Sequence, residues 1–213
     1  MIVVHHLNNS RSQRILWLLE ELDIEYEIKY YQRDAETMLA PAALHEVHPL
    51  GKSPVITDAE LTIAESGAII EYIVNRYGNG KLVPAVETPE HLRYTYWLHY
   101  AEGSAMPPLL FNLIFNLFGI KARSAMDGFI APQIQLHFDY IEDELGKSRW
   151  FVGDEFTAAD IQMSFPLELL ANVPQQVENR PHIQEFVARI HERSAYKRAL
   201  ERGGEYDFAS NIS

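Results

Sequence analysis

The feature that most limits the fold is where strand periodicity stops: the extended runs fall before about residue 85, and the chain beyond reads as helix. Ile2 to Leu7 is a β-rich run. Asn8-Asn9-Ser10-Arg11-Ser12 is a turn offering several helix caps. Ile15, Leu18, Leu19 and Leu22 then recur at helical spacing, which predicts a helix from Ser12 to Leu22. Tyr26, Ile28 and Tyr30 alternate with Glu27, Lys29 and Tyr31 as a second strand. A strand–helix–strand unit of this length implies a right-handed parallel crossover. Residues 32–53 are less regular, with a short helix expected at Ala35–Leu39. Val55–Thr57 and Leu61–Ile63 flank Asp58-Ala59-Glu60 as a hairpin, and Ile69, Ile70, Ile73, Val74 and Tyr77 give a helix ending at Gly78.

The order β-α-β, then β-β-α, followed only by helices, predicts an α+β chain. A small mixed-sheet domain is expected at residues 1–80, a Gly/Pro-punctuated linker at 81–87 and an all-helical domain at 88–213. In the second part Thr88 reads as an N-cap with Pro89 at the first helical position. Leu92 to Ala105 reads as helix, interrupted at Pro107-Pro108, and Ile130 to Leu145 as another. Thr157-Ala158-Ala159-Asp160 is a capping box before a buried helix, and Pro181 opens a further one. The aromatics Tyr94, Tyr96, Trp97, Tyr100, Phe111, Phe115 and Phe118 are read as core, some lining an apolar pocket that faces the first domain. Gly203 to Ser213 reads as a polar tail.

Composition excludes several classes. A net charge of −12 argues against nucleic acid or an anionic membrane surface as partner. No apolar run approaches a membrane span, and no signal peptide is read at the N-terminus. The chain has no cysteine, which removes disulfides, thiolate metal sites and cysteine nucleophiles and suits a reducing cytoplasm. His45 and His48 fall one residue short of the zinc-protease spacing, and Pro49 ends any helix there, so no metal is expected. Neither a Gly-rich phosphate loop nor Gly-x-Ser-x-Gly occurs.

The remaining polar punctuation sits at one end of the predicted sheet. Ser10 lies among the free N–H groups of the first helix and can donate to a bound anion such as a thiolate, lowering its pKa; a plain capping role is the alternative, and Ser12 competes for both. Arg11, Arg14 and Lys52 can complement a carboxylate or be solvated surface charge. Glu65 can pair with an α-amino group while Ser66, at a helix start, receives an α-carboxylate; a capping pair is the other reading. Ser53-Pro54, at a strand start, is a candidate cis bond.

Together these residues resemble the cytosolic glutathione S-transferases, of the serine type found in bacteria and fungi. Ser10-Arg11-Ser12-Gln13-Arg14 is similar to that family's Ser-x-x-x-Arg segment. His48-Pro49-Leu50-Gly51-Lys52-Ser53-Pro54-Val55-Ile56 is similar to its Asn-Pro-x-Gly-Lys-Val-Pro-x-Leu segment, with His48 and Ser53 as departures. Ala64-Glu65-Ser66-Gly67-Ala68-Ile69 resembles its Glu-Ser-x-Ala-Ile segment, and Phe156 to Asp160 its capping box. The resemblance implies a thioredoxin-like domain followed by a helical one, a homodimer, and glutathione as co-substrate. It implies that Ser53, next to a cis Pro54, binds the cysteinyl backbone, that Glu65 and Ser66 hold the γ-glutamyl end, and that Lys52 lies near the glycyl carboxylate. Ser10, with Ser12 as runner-up, would hydrogen-bond the sulfur. Without cysteine, the reactive sulfur must come from the ligand. The expected activity is detoxifying transfer of glutathione to a hydrophobic electrophile, with Met106 and Phe111 in the pocket wall. A non-catalytic glutathione or apolar-ligand carrier, or a glutathione-dependent peroxidase or isomerase, is the alternative.

Overall fold

The computed structural model describes residues 1–117 and 123–209. Its contacts divide the chain into two compact units. Among the described residues, the first holds Met1–Pro84 together with residues 189–209; the second holds Ala85–Ala188.

The first unit is built on β1 (Ile2–Leu7), α1 (Gln13–Glu21), β2 (Tyr26–Tyr31), β3 (Val55–Asp58), β4 (Leu61–Ala64) and α2 (Ser66–Tyr77). The four strands form one mixed sheet in the order β2-β1-β3-β4. β1 pairs with β2 in parallel, Ile2 opposite Tyr26, and with β3 antiparallel, His5 opposite Val55. β4 closes the hairpin on β3. Alternation along β1 puts Ile2, Val4 and His6 on one face, and all three are buried. α1 buries Ile15, Leu16, Trp17, Leu18 and Leu19 completely, each such apolar side chain contributing roughly 1.5–3 kcal/mol. α2 buries Ile69, Ile70, Ile73 and Val74 and ends at Gly78. The expected helix at Ala35–Leu39 is instead a hydrogen-bonded turn, in which the Asp34 carboxylate accepts from the backbone N–H groups of Glu36 and Thr37. An aspartate that captures those N–H groups competes with helix formation.

The second unit contains α3 (Pro89–Tyr100), a π-helical turn (Ala101–Ala105), α4 (Met106–Leu117), α5 (Arg123–Leu145), α6 (Ala158–Ala171) and α7 (Pro174–Val177). Thr88 caps α3 through the N–H of His91, with Pro89 at its start. Contrary to expectation, Pro107-Pro108 does not interrupt the helical course: both prolines stand directly after the π turn, where the regular α bonding pattern is already broken. α5 begins earlier than predicted and carries Pro132 within it. The capping box before α6 is present: Asp160 accepts from the Thr157 N–H at 2.8 Å and the Phe151 N–H at 2.9 Å. α6 is buried along its whole length, and Trp97 packs against Phe151 at 4.5 Å between ring centroids. Tyr94, Trp97 and Tyr100 are core, Tyr96 and Phe111 are exposed, and Phe118 lies outside the described residues.

α8 (Pro181–His191) crosses the boundary between the units, and α9 (Ser194–Gly203) belongs to the first. The sequence reading placed both with the helical domain and took Gly203 onward as a polar tail. α9 packs on α1 because Ala195, Tyr196, Ala199 and Gly203 form one buried face, with Tyr196 edge-on to Trp17 at 5.1 Å. Arg193 pairs with Glu21, and Arg198 and Arg202 pair with Glu20. A short 3₁₀ turn follows at Asp207–Ala209.

Candidate active site

The candidate residues of the first unit come from three junctions: β1 to α1, the approach to β3, and β4 to α2. At the first, Ser12 is the N-cap residue of α1, and its side chain makes no capping bond. Its hydroxyl turns inward instead, 2.8 Å from His6 Nδ1 and 2.8 Å from the Ser10 hydroxyl, and accepts from the Leu7 N–H at 3.3 Å. Ser10 donates to the Leu7 carbonyl at 2.8 Å and accepts from the Ser12 N–H at 3.2 Å. Both serines are buried, Ser12 fully and Ser10 with 4% exposure. Burial pushes the His6 imidazole down to about 4, with the Gly203 backbone offsetting part of the shift. His6 is therefore neutral at physiological pH and presents a lone pair as well as an N–H to its surroundings.

At the second junction Gly51 has a φ of +56°, and a Cβ there would lie 2.4 Å from the His45 ring, so a larger residue is strained and must displace that ring. Lys52 is exposed, Ser53 half-buried and Pro54 buried behind a cis Ser53-Pro54 bond. The Ser53 hydroxyl donates to the His5 carbonyl at 3.1 Å, tying this turn to β1. At the third junction Glu65 is exposed with φ 70° and ψ 120°, a backbone conformation that strains any side chain with a Cβ. Ser66 is buried at the start of α2. Arg14 of α1, 2% exposed, donates to the Ser66 hydroxyl at 3.4 Å. Ser10, Ser12, Arg14 and Ser66 are thus joined through the start of α1, with Ser53 linked through β1.

Two participants carry more than the sequence reading assigned to them. Arg14, which the sequence offers as a surface or ligand-facing charge, is a buried strut between α1 and α2. Its spacing of four from Leu18 places it on the buried face, a signal present in the sequence. His6 was not singled out, although its parity with Val4 marks it as inward.

In the second unit Phe111 lines an apolar cavity of about 220 Å³ with Pro107, Pro108, Phe129, Ile130 and His137. Met106, also expected in a pocket wall, is 3% exposed and outside that lining. Among the described residues no group of three His, Cys, Asp or Glu side chains could hold a metal ion.

Residues 1–75 match the glutathione S-transferase N-terminal domain and residues 130–194 the glutathione S-transferase C-terminal domain. The chain is 36% identical to glutathione S-transferase 3 of Schizosaccharomyces pombe, over 95% of this chain and 88% of that one. This chain belongs to the glutathione S-transferase family. Its identity to glutathione S-transferase 1 of Saccharomyces cerevisiae is 32%, covering 95% of each chain. The crystal structure of a glutathione S-transferase from Actinobacillus pleuropneumoniae superimposes with a TM-score of 0.89 at 35% identity, over 99% of this chain and 96% of that one. As a family member the chain has the thioredoxin-like unit followed by helices that its sequence implied.

Proposed function

We propose that this glutathione S-transferase family member conjugates the thiol of glutathione to hydrophobic electrophiles. The full-length relation to curated glutathione S-transferases is the observation that carries the reading. Residues 1–80, within the first unit, bind the tripeptide. Ser53, held to β1, offers its backbone to the cysteinyl residue beside cis-Pro54. Glu65 pairs with the γ-glutamyl ammonium, Ser66 and the α2 N-terminus take the α-carboxylate, and Lys52 reaches the glycyl carboxylate. Ser10 donates to the sulfur. Its hydroxyl has one proton, which swings from the Leu7 carbonyl to the thiolate. Ser12 is the weaker candidate because it is fully buried against His6. The helices after the 81–87 linker supply the apolar cavity at Phe111 for the electrophile; Met106 backs that region as core. α4 and α5 also expose Leu110, Leu113, Phe129 and Leu136, and a second copy of this chain covering them, as a homodimer, removes that apolar surface from water. The absence of cysteine suits a cytoplasmic, detoxifying role in which all thiol chemistry belongs to the ligand.

The test is Ser10→Ala, with bound thiolate followed by ultraviolet absorbance and turnover by conjugation of an aryl halide. Loss of the hydroxyl is expected to raise the bound thiol pKa by about two units, roughly 2.7 kcal/mol of thiolate stabilisation. Unchanged thiolate and turnover in this variant reject Ser10. Retention of the wild type on immobilised glutathione without any conjugate rejects the transferase reading.

A further inference from the structure

The turn that delivers Ser10 is gripped from two sides. On one side Arg33 donates through its side chain to the carbonyls of Asn8 and Asn9, both at 3.3 Å, and its backbone N–H donates to Asn8 Oδ1 at 2.9 Å. On the other side stands a residue 198 positions away. Asn9 Nδ2 donates to Asp207 Oδ2 at 2.9 Å, and the Asp207 N–H donates back to Asn9 Oδ1 at 2.8 Å. Both ends of one carboxamide are engaged by one residue, which fixes its orientation as well as its position. Asn9 has a φ of +48° and immediately precedes Ser10, so its backbone sets where the serine hydroxyl points.

The segment bearing Asp207 is itself anchored. Gly203, the last residue of α9, lies so close to α1 that an added Cβ would fall 2.4 Å from Gln13 Oε1. The Tyr30 hydroxyl donates to the Arg202 carbonyl at 2.5 Å. Gly204, with φ 81° and ψ −138°, takes a conformation only glycine adopts readily and turns the chain away from the helix axis. Tyr206 is buried, and Asp207 reaches Asn9.

We propose that Asp207 is a positioning residue for the transfer reaction: through Asn9 it holds the left-handed turn that aims the Ser10 hydroxyl at the ligand sulfur. The proposal rests on the assignment of Ser10 above. It makes the C-terminal segment part of the thiolate site without placing any of its atoms on the substrate.

The test uses the full-length protein with Asp207→Ala, Asp207→Asn, Asn9→Gly and the Asn9→Gly/Asp207→Ala pair. Asp207→Ala is expected to lower kcat about fivefold, the scale of one net hydrogen bond, and to move the pH profile of kcat/KM for the aryl halide, measured at saturating glutathione, to higher pH. KM for the aryl halide stays constant. Asp207→Asn keeps an acceptor for Asn9 Nδ2 and restores most of the rate. The double variant is no worse than Asn9→Gly alone, because both changes break one connection. Hydrogen exchange at residues 8–12 accelerates in Asp207→Ala. Equal damage by Ala and Asn, additive effects in the double variant, or a lowered melting temperature with an unmoved pH profile each overturn the proposal. Unchanged exchange overturns the grip itself. Faster exchange in Asp207→Ala, with Ser10→Ala leaving the thiol pKa untouched, overturns the proposal through the Ser10 assignment rather than through the Asp207 contact.

Discussion

Asp160 gives the sharpest prediction, because its two physical roles oppose each other. Its carboxyl group is fully buried and accepts from the Phe151 N–H, the Thr157 N–H and the Thr157 hydroxyl. Asp160→Ala leaves two backbone N–H groups without an acceptor in a dry region; the hydroxyl can turn elsewhere. At about 1–3 kcal/mol for each orphaned donor, the gross loss is about 2–6 kcal/mol. Burial, however, pushes the Asp160 carboxyl up from 3.8 to about 6, outweighing the donors that favour the anion. A raised pKa means that the folded protein keeps a proton the unfolded chain has released. The group's contribution is full below pH 3.8 and is lost as pH rises through about 6. That loss is worth about 3 kcal/mol. Asp160→Ala should therefore destabilise strongly near pH 4 and by about 2.4 kcal/mol less at pH 7. His6, whose lowered pKa makes stability fall as pH drops from 6.5 through about 4, is common to both proteins and cancels in the difference. The assay is urea unfolding of both proteins across that range, followed by tryptophan fluorescence; Trp97 and Trp150 are both buried in the same unit as the box. A destabilisation that is constant with pH, or that grows toward neutrality, refutes the claim that burial outweighs the hydrogen bonds.

Two further outcomes follow from close packing and backbone strain. Gly203→Ala places its methyl carbon 2.4 Å from Gln13 Oε1 and 2.9 Å from Leu16 Cδ1, so thermal unfolding should show a loss of about 1–3 kcal/mol. Glu65→Gly relieves a φ of 70° and should raise the melting temperature, by on the order of 1 kcal/mol of stability, while abolishing retention on immobilised glutathione; tighter retention would reject the ammonium-pairing role.

Much of this organisation is legible one residue at a time. The four strands, the caps at Thr88 and Thr157, the helix stop at Gly78 and the junction at Glu65-Ser66 are local devices, written in neighbouring side chains. What could not be read depends on distance. α9 carries an apolar face that nothing nearby assigns to α1; that choice is made by Trp17, Glu20 and Glu21, more than 170 residues earlier in the chain. The Asn9–Asp207 pairing has no sequence signature, since each residue alone reads as an ordinary turn former. Arg14 was legible in its spacing but hidden by its charge, because a buried guanidinium is uncommon without the partner that only the fold supplies. At Pro107-Pro108 the difference is physical: two prolines break a regular α-helix, but here the π turn directly before them has already changed the bonding pattern, and the helical course runs on.

The turn of π-helix at Ala101–Ala105 has a consequence of a different kind. The backbone N–H of Met106 bonds to the Ala101 carbonyl, five residues back, so one residue more than an α-turn needs is held between α3 and α4. In an α-helix each residue advances the side chains by about 100°. The side chains of residues 106–115, Phe111 among them, therefore point where an uninterrupted helix would not have sent them. Single substitutions can only change what lines the cavity. Removing one residue from this turn would rotate the α4 side of the wall at once. Insertions and deletions at Gly103 and Ser104, usually the least promising edits inside a helix, are thus the natural lever for reshaping the cavity at Phe111.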